Sequence, residues 1–175
     1  MRQLRQIFTA AAVAAVVTAA PAAAQGLVVG ELPLTARGAV HIQPFLSLAI
    51  PTGDLADASS IGYGLGGQVS YGMGAFSLVG ELGFVTFNGE TVDTELGEIE
   101  FEDESVVNIS GGVRLPLGPV YIGGLAGWYS DDIDFDLVPV AGLHLGPIDL
   151  GVRYNGLVAD ADWVQITGGI HLRLN

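Results

Sequence analysis

Glu98, Glu100, Glu102 and Glu104 occupy alternate positions, as do Asp132, Asp134 and Asp136 further along, and alternate positions of an extended strand share one side. Oxygen donors gathered in that way suit a hard divalent cation such as Ca²⁺, which takes roughly six to eight of them. Neither run carries the glycine and distal bidentate glutamate of an EF-hand loop, so the competing reading is a solvated acidic rim. The three histidines, His41, His144 and His171, could hold zinc if the fold brings them together, although hydrogen-bonded histidines are the ordinary case. Glu81, Arg114 and Arg153 stand among small neutral residues, and if buried they must pair. Nucleophilic catalysis is poorly served, because no histidine lies near Ser59, Ser60, Ser105 or Ser130 to act as base.

The elements that carry these residues alternate with period two. From Ile61 to Tyr71 one face reads Ile61, Tyr63, Leu65, Gly67, Val69, Tyr71 and the other Gly62, Gly64, Gly66, Gln68, Ser70. Similar runs span 39–50, 75–87, 105–117, 120–130, 137–146, 148–158 and 163–174, with 120–130 the least clear of them. Each is near the roughly 9–11 residues of a tilted membrane-crossing strand. Connections alternate between tight turns (Gly72-Met73-Gly74, Gly118-Pro119, Gly146-Pro147) and longer polar gaps at 51–60, 88–104, 131–136 and 159–162. Those four gaps hold sixteen of the nineteen acidic residues. The glycine-rich Gly62–Gly67 stretch opens no helix, so it is not a nucleotide loop, and Asn108-Ile109-Ser110 is a sequon buried in a strand run.

The N-terminus reads as a signal peptide: Arg2 and Arg5, an apolar stretch from Ile7 to Ala20, and Ala22-Ala23-Ala24 before Gln25. We expect a cleaved signal peptide at 1–24, a periplasmic segment at 25–38 and a barrel at 39–175. Beyond residue 24, four arginines face nineteen acids, a net charge of −15, and lysine and cysteine are absent. Such a polyanion excludes nucleic-acid partners, whose phosphates need a basic footprint. Nor is it a disordered acidic tail, since half the chain is hydrophobic.

Short turns on one side and long polar loops on the other describe an all-β, eight-stranded, antiparallel up-and-down transmembrane barrel. A soluble lipocalin-like barrel would also alternate, but its polar face would meet water and carry many charges. Here that face is mostly Gly, Ala, Ser, Thr, Gln and Asn, which suits the cramped lumen of eight strands. The expected lumen holds a Glu81, Arg114 and Arg153 network acting as a plug, with the histidines near the turn ends. Tyr63, Phe84, Phe87, Trp128, Tyr129 and Trp163 at the loop ends, and Tyr71, Phe76 and Tyr121 at the turn ends, are assigned to two interfacial girdles.

This arrangement resembles the small outer-membrane barrels that include the OmpA transmembrane domain and OmpX. Such chains commonly end in an aromatic residue, whereas this one ends His171-Leu172-Arg173-Leu174-Asn175. The resemblance implies the outer membrane, termini in the periplasm and contact with outer-membrane lipids; the 88–104 hairpin would protrude as in OmpX and could bind a surface partner by strand addition. We expect a noncatalytic monomer that presents acidic loops for adhesion or ion-bridged envelope contacts, with no cofactor beyond possible Ca²⁺ at those loops. A lipid A-modifying barrel enzyme and a soluble periplasmic binder are the alternatives.

Overall fold

Period-two alternation becomes eight antiparallel strands that close on themselves. The computed structural model describes residues 27–28, 36–57, 59–89, 91–94, 97–100, 103–130, 134–158 and 162–174. The barrel strands are β1 (Val40–Thr52), β2 (Gly62–Gly72), β3 (Ser77–Phe87), β4 (Glu104–Leu117), β5 (Val120–Tyr129), β6 (Asp134–Leu145), β7 (Ile148–Asn155) and β8 (Asp162–Ile170, resumed at Leu172–Leu174). Each pairs with its neighbours in sequence, and β1 pairs with both β2 and β8, so the ring leaves no open edge. The expected signal peptide lies outside the described residues. Within the expected 25–38 segment, Leu27–Val28 pairs with Leu174 and Arg173.

The turns follow from glycine and proline. Gly118 and Gly146 have φ of 76° and 64°, and each is followed by a proline, whose ring holds φ near −65°. Glycine at the first central position is what a type II′ hairpin turn requires, and the pairs Leu117↔Val120 and Leu145↔Ile148 close directly over these turns. Each proline carbonyl then accepts a backbone amide from a nearby strand: Pro119 from His144 and Pro147 from His171, both at 2.7 Å. Both histidines are thereby fixed by their own backbones. The break in β8 at His171 lies where β1 carries Pro44, which has no N–H to give, and the register is the same on either side.

At the other end the connections are longer. Gly53–Asp57 forms a short 3-10 turn after β1. Beyond β3 and β4 the chain continues as a separate two-stranded ribbon, Thr91–Thr94 against Gly97–Glu100. At its base the Asp103 carboxylate accepts the Gly89 amide at 3.0 Å, and Asn88 Nδ2 donates to the Ile61 carbonyl at 3.2 Å.

The barrel's exterior is apolar. Leu46 is 71% exposed, Ile109 62% and Leu117 61%, with Leu48, Ile122, Leu145, Leu150 and Ile166 on the same outer face. Its interior carries Gln43, Gln68, Glu81, Asn108, Arg114, Asp149, Arg153 and Gln165, all buried. A protein surrounded by water has the opposite distribution.

Candidate functional site in the barrel lumen

Three tiers fill the lumen. The middle tier is built on Glu81 of β3 and Arg153 of β7, which form a buried ion pair. Gln68 Nε2 also donates to Glu81, Asn108 Nδ2 donates to its Oε1 at 3.3 Å, and the Arg153 guanidinium lies 5.3 Å from the centre of the Phe45 ring. Buried charges are tolerated only when paired and hydrogen-bonded, and both conditions hold here.

Arg114 does not join this pair, contrary to the expected three-residue network. Register gives the reason: Glu81 is opposite Ser110, whereas Ser77 is opposite Arg114, four residues nearer the turns. That is about 13 Å along a strand at about 3.3 Å per residue. Arg114 instead lies over the Tyr121 ring, 4.5 Å from its centre, and its Nη1 donates to Gln43 Oε1 at 3.4 Å.

The turn-end tier centres on Asp149. His144 on β6 and Asp149 on β7 are direct cross-strand partners. Asp149 Oδ2 lies 2.6 Å from His144 Nδ1, off the hydrogen-bonding direction, and 3.3 Å from His171 Nε2. Its Oδ1 accepts from Gln43 Nε2 at 2.8 Å and from the Tyr121 hydroxyl at 3.1 Å. Tyr121 stacks on His144 at 4.6 Å, and His171 meets His144 edge-on at 4.9 Å and His41 at 6.2 Å. Among the described residues, neither ring nitrogen of the buried His41 has a hydrogen-bond partner. The fold thus brings together the three histidines, and a small pocket lined by Ser70, Ser77, Arg114 and Tyr121 borders two of them, His144 and His171.

Two glycines make this tier possible. Gly142 and Gly151 are opposite each other on β6 and β7, and a Cβ on Gly142 would fall 2.4 Å from the Tyr121 hydroxyl. Their bare backbones form the slot through which the phenol reaches Asp149.

The loop-end tier is apolar. Phe87 and Tyr129 each pack edge-on against Trp163, at 5.8 and 5.7 Å, above Val85, Val106, Leu125 and Val138, and the Tyr129 hydroxyl donates to Asn155 Oδ1 at 3.0 Å. Phe87, Tyr129, Trp163 and Tyr121 are therefore interior, not members of a girdle. Tyr63, Tyr71 and Trp128 do face outward. Strand parity carried the signal: Trp163 shares a face with Gln165, Phe87 with Glu81, and Tyr121 and Tyr129 with Gly127.

The acidic residues of the expected cation rim fare differently. Asp136 is fully buried and accepts three backbone amides, from Leu137 at 2.8 Å, Gly156 at 2.6 Å and Val158 at 3.0 Å. It ties β6 to the loop after β7 and is withdrawn from an exposed rim. Glu104 is half-buried opposite Phe87, on the lumen side. Glu98 and Glu100 lie in the ribbon and Asp134 begins β6, their side chains outside what is described, as are Glu102 and Asp132 entirely.

No protein-family model matches the chain, and no curated protein does either. Among solved structures, two of Ail, the attachment invasion locus protein of Yersinia pestis, align with it at 14% identity over 79% of this chain and 99% of theirs. The one in complex with the heparin analogue sucrose octasulfate has a TM-score of 0.48 and the other 0.47.

Proposed function

We propose that the protein is a noncatalytic barrel of the bacterial outer membrane that holds acidic loops at the cell surface for adhesion or ion-bridged envelope contacts. One observation carries the reading: large apolar side chains cover the outside of the ring while paired charges and amides fill its inside. Transferring that outer face from water to hydrocarbon is favourable by about 25 cal/mol per Å². A closed ring also satisfies its backbone hydrogen bonds internally, as crossing a bilayer requires.

The noncatalytic part rests on placement. All three histidines lie at the turn end, whereas Ser59, Ser60, Ser105 and Ser130 lie at the loop end, where a lipid A-modifying enzyme would need its base. The Glu81–Arg153 pair and the aromatic tier above it favour a plug over a pore. At the surface, the Thr91–Thr94 ribbon offers backbone edges for strand addition by a partner. A polysulfated ligand like that in the Ail complex suits this chain poorly, because sixteen of its nineteen acids fall in the loop segments and would repel it. Ca²⁺ bridging the loop carboxylates to anionic lipid suits it better.

Fractionation of expressing cells tests the location. The protein should pellet with outer membranes and migrate faster on gels before boiling than after; recovery in the aqueous periplasmic fraction would overturn the membrane reading. For the loops, calcium titration by calorimetry should show binding that weakens when Asp132 and Asp134 become Asn, and no heat at millimolar calcium would remove the ion-bridging part.

A further inference from the structure

We propose that His144, Asp149 and His171 form a binding site for a zinc-class divalent transition ion at the turn end of the lumen. One donor atom from each of the three lies within 4.8 Å of the others. Two imidazoles and a carboxylate are a ligand set that zinc and its neighbours prefer, whereas calcium and magnesium take oxygen. Asp149 Oδ2 lies 2.6 Å from His144 Nδ1 and 3.3 Å from His171 Nε2, so an ion seated among these atoms replaces their direct contacts with a small separation of His144 from Asp149.

The surroundings match what metal sites need beyond their ligands. Asp149 Oδ1 is held by Gln43 and by the Tyr121 hydroxyl, which orients the other oxygen toward the histidines. Two of the ligands are cross-strand partners, and the amides of both histidines are tied to turn prolines, so the set stands on rigid backbone. A second observation is independent of this geometry: among the described residues, neither ring nitrogen of His41, 3% exposed, has a hydrogen-bond partner, nor does the buried His171 Nδ1. Unsatisfied buried nitrogens are costly, and those of His41 stand at the edge of the site, its ring 6.2 Å from that of His171 and outside the three-residue ligand set. With three ligands a tetrahedral ion keeps one position open, and the small pocket lined by Ser70, Ser77 and Arg114 borders it on the side of the two histidines.

Detergent-solubilised full-length protein, stripped with a chelator, should be titrated with CoCl2 and followed by visible absorption, then challenged with ZnCl2. The expected result is one equivalent of cobalt with tetrahedral or five-coordinate bands, displaced by zinc and untouched by millimolar CaCl2. Replacing both histidines (H144Q/H171Q) should abolish the bands while the heat-modifiable gel shift persists. Should that pair fail to fold, Tyr121→Phe, which removes only a bond to Asp149, should weaken zinc about 10–100-fold. Absence of cobalt bands in the unsubstituted protein, bands that survive H144Q/H171Q, or zinc affinity unchanged in Tyr121→Phe would each overturn the site.

Discussion

Glu81 and Arg153 pair across the full width of the barrel. They stand on β3 and β7, which are separated by three strands in either direction around the ring of eight, so their contact bridges diametrically opposite walls. A lumen that one ion pair can span is closed at that level. Removing one partner leaves a buried charge without compensation. Glu81→Gln or Arg153→Met alone should therefore cost about 3–5 kcal/mol, read as urea-unfolding midpoints in lipid vesicles. The double variant should recover much of that loss, since a neutral, apolar-packed pair is often no worse than the ion pair. Equal losses in the double and single variants would show that the pair is not the unit.

The chain has two tryptophans, and the barrel places them on opposite sides of its wall: Trp128 is 64% exposed on the outer face and Trp163 is 1% exposed within. Trp163→Phe leaves Trp128 as the sole indole, whose fluorescence brominated lipid should quench strongly. Trp128→Phe leaves Trp163, which should resist brominated lipid and aqueous acrylamide alike. Equal quenching of the two by lipid would contradict the inward placement of Trp163. Truncation separates them as well: Trp163→Ala should cost about 3–5 kcal/mol as a filled core position.

How much of this was legible in the chain depends on what each property rests on. Alternation is local, so the inner and outer faces could be read directly; Gln68 and Val69 announce their sides by type alone. Aromatic residues do not, because a ring is equally at home at a membrane interface and in a packed core. Tyr121 and Trp163 were separable from Trp128 only by parity, and β5 blurs parity by carrying Leu125 inside and Ile122 outside. Partners across the lumen are harder still. They depend on the stagger between strands, which no local pattern encodes. Hence Arg114, which shares a face with Ser110, meets Tyr121 and Gln43 and not Glu81. The three histidines could be read as a possible cluster, but the Asp149 hub that joins two of them, and its bonds to Gln43 and Tyr121, needed the closed ring.

Asp136 anchors the loop that follows β7. Its carboxylate takes three backbone amides in a fully buried position, so Asp136→Ala should leave those donors unsatisfied at about 1–3 kcal/mol. The loss should concentrate near Gly156–Val158. Limited proteolysis of intact cells should show new cleavage in that loop, with the membrane-embedded strands still protected. Asp136→Asn keeps one acceptor oxygen and should fall between the two. Stability and proteolysis unchanged in Asp136→Ala would return Asp136 to the exposed rim.

Gly142 and Gly124 are both strand glycines, yet a methyl group should have opposite effects at the two. At Gly142 a Cβ would meet the Tyr121 ring at 2.4 Å and the Leu150 carbonyl at 2.5 Å, and the latter is backbone of a paired strand with nowhere to go. At Gly124, on the outer face, nothing lies within 4 Å of the same atom. Gly142→Ala should thus destabilise by about 1–3 kcal/mol through overpacking. It should also push the Tyr121 phenol off Asp149, loosening His144, which stacks on that ring. Gly124→Ala should be neutral or stabilising by about 0.4–1 kcal/mol, because it restricts the unfolded chain without strain in the folded one. Unfolding midpoints in vesicles would rank the two variants, and a Gly142→Ala protein as stable as Gly124→Ala would mean that the slot between β6 and β7 is not filled by Tyr121.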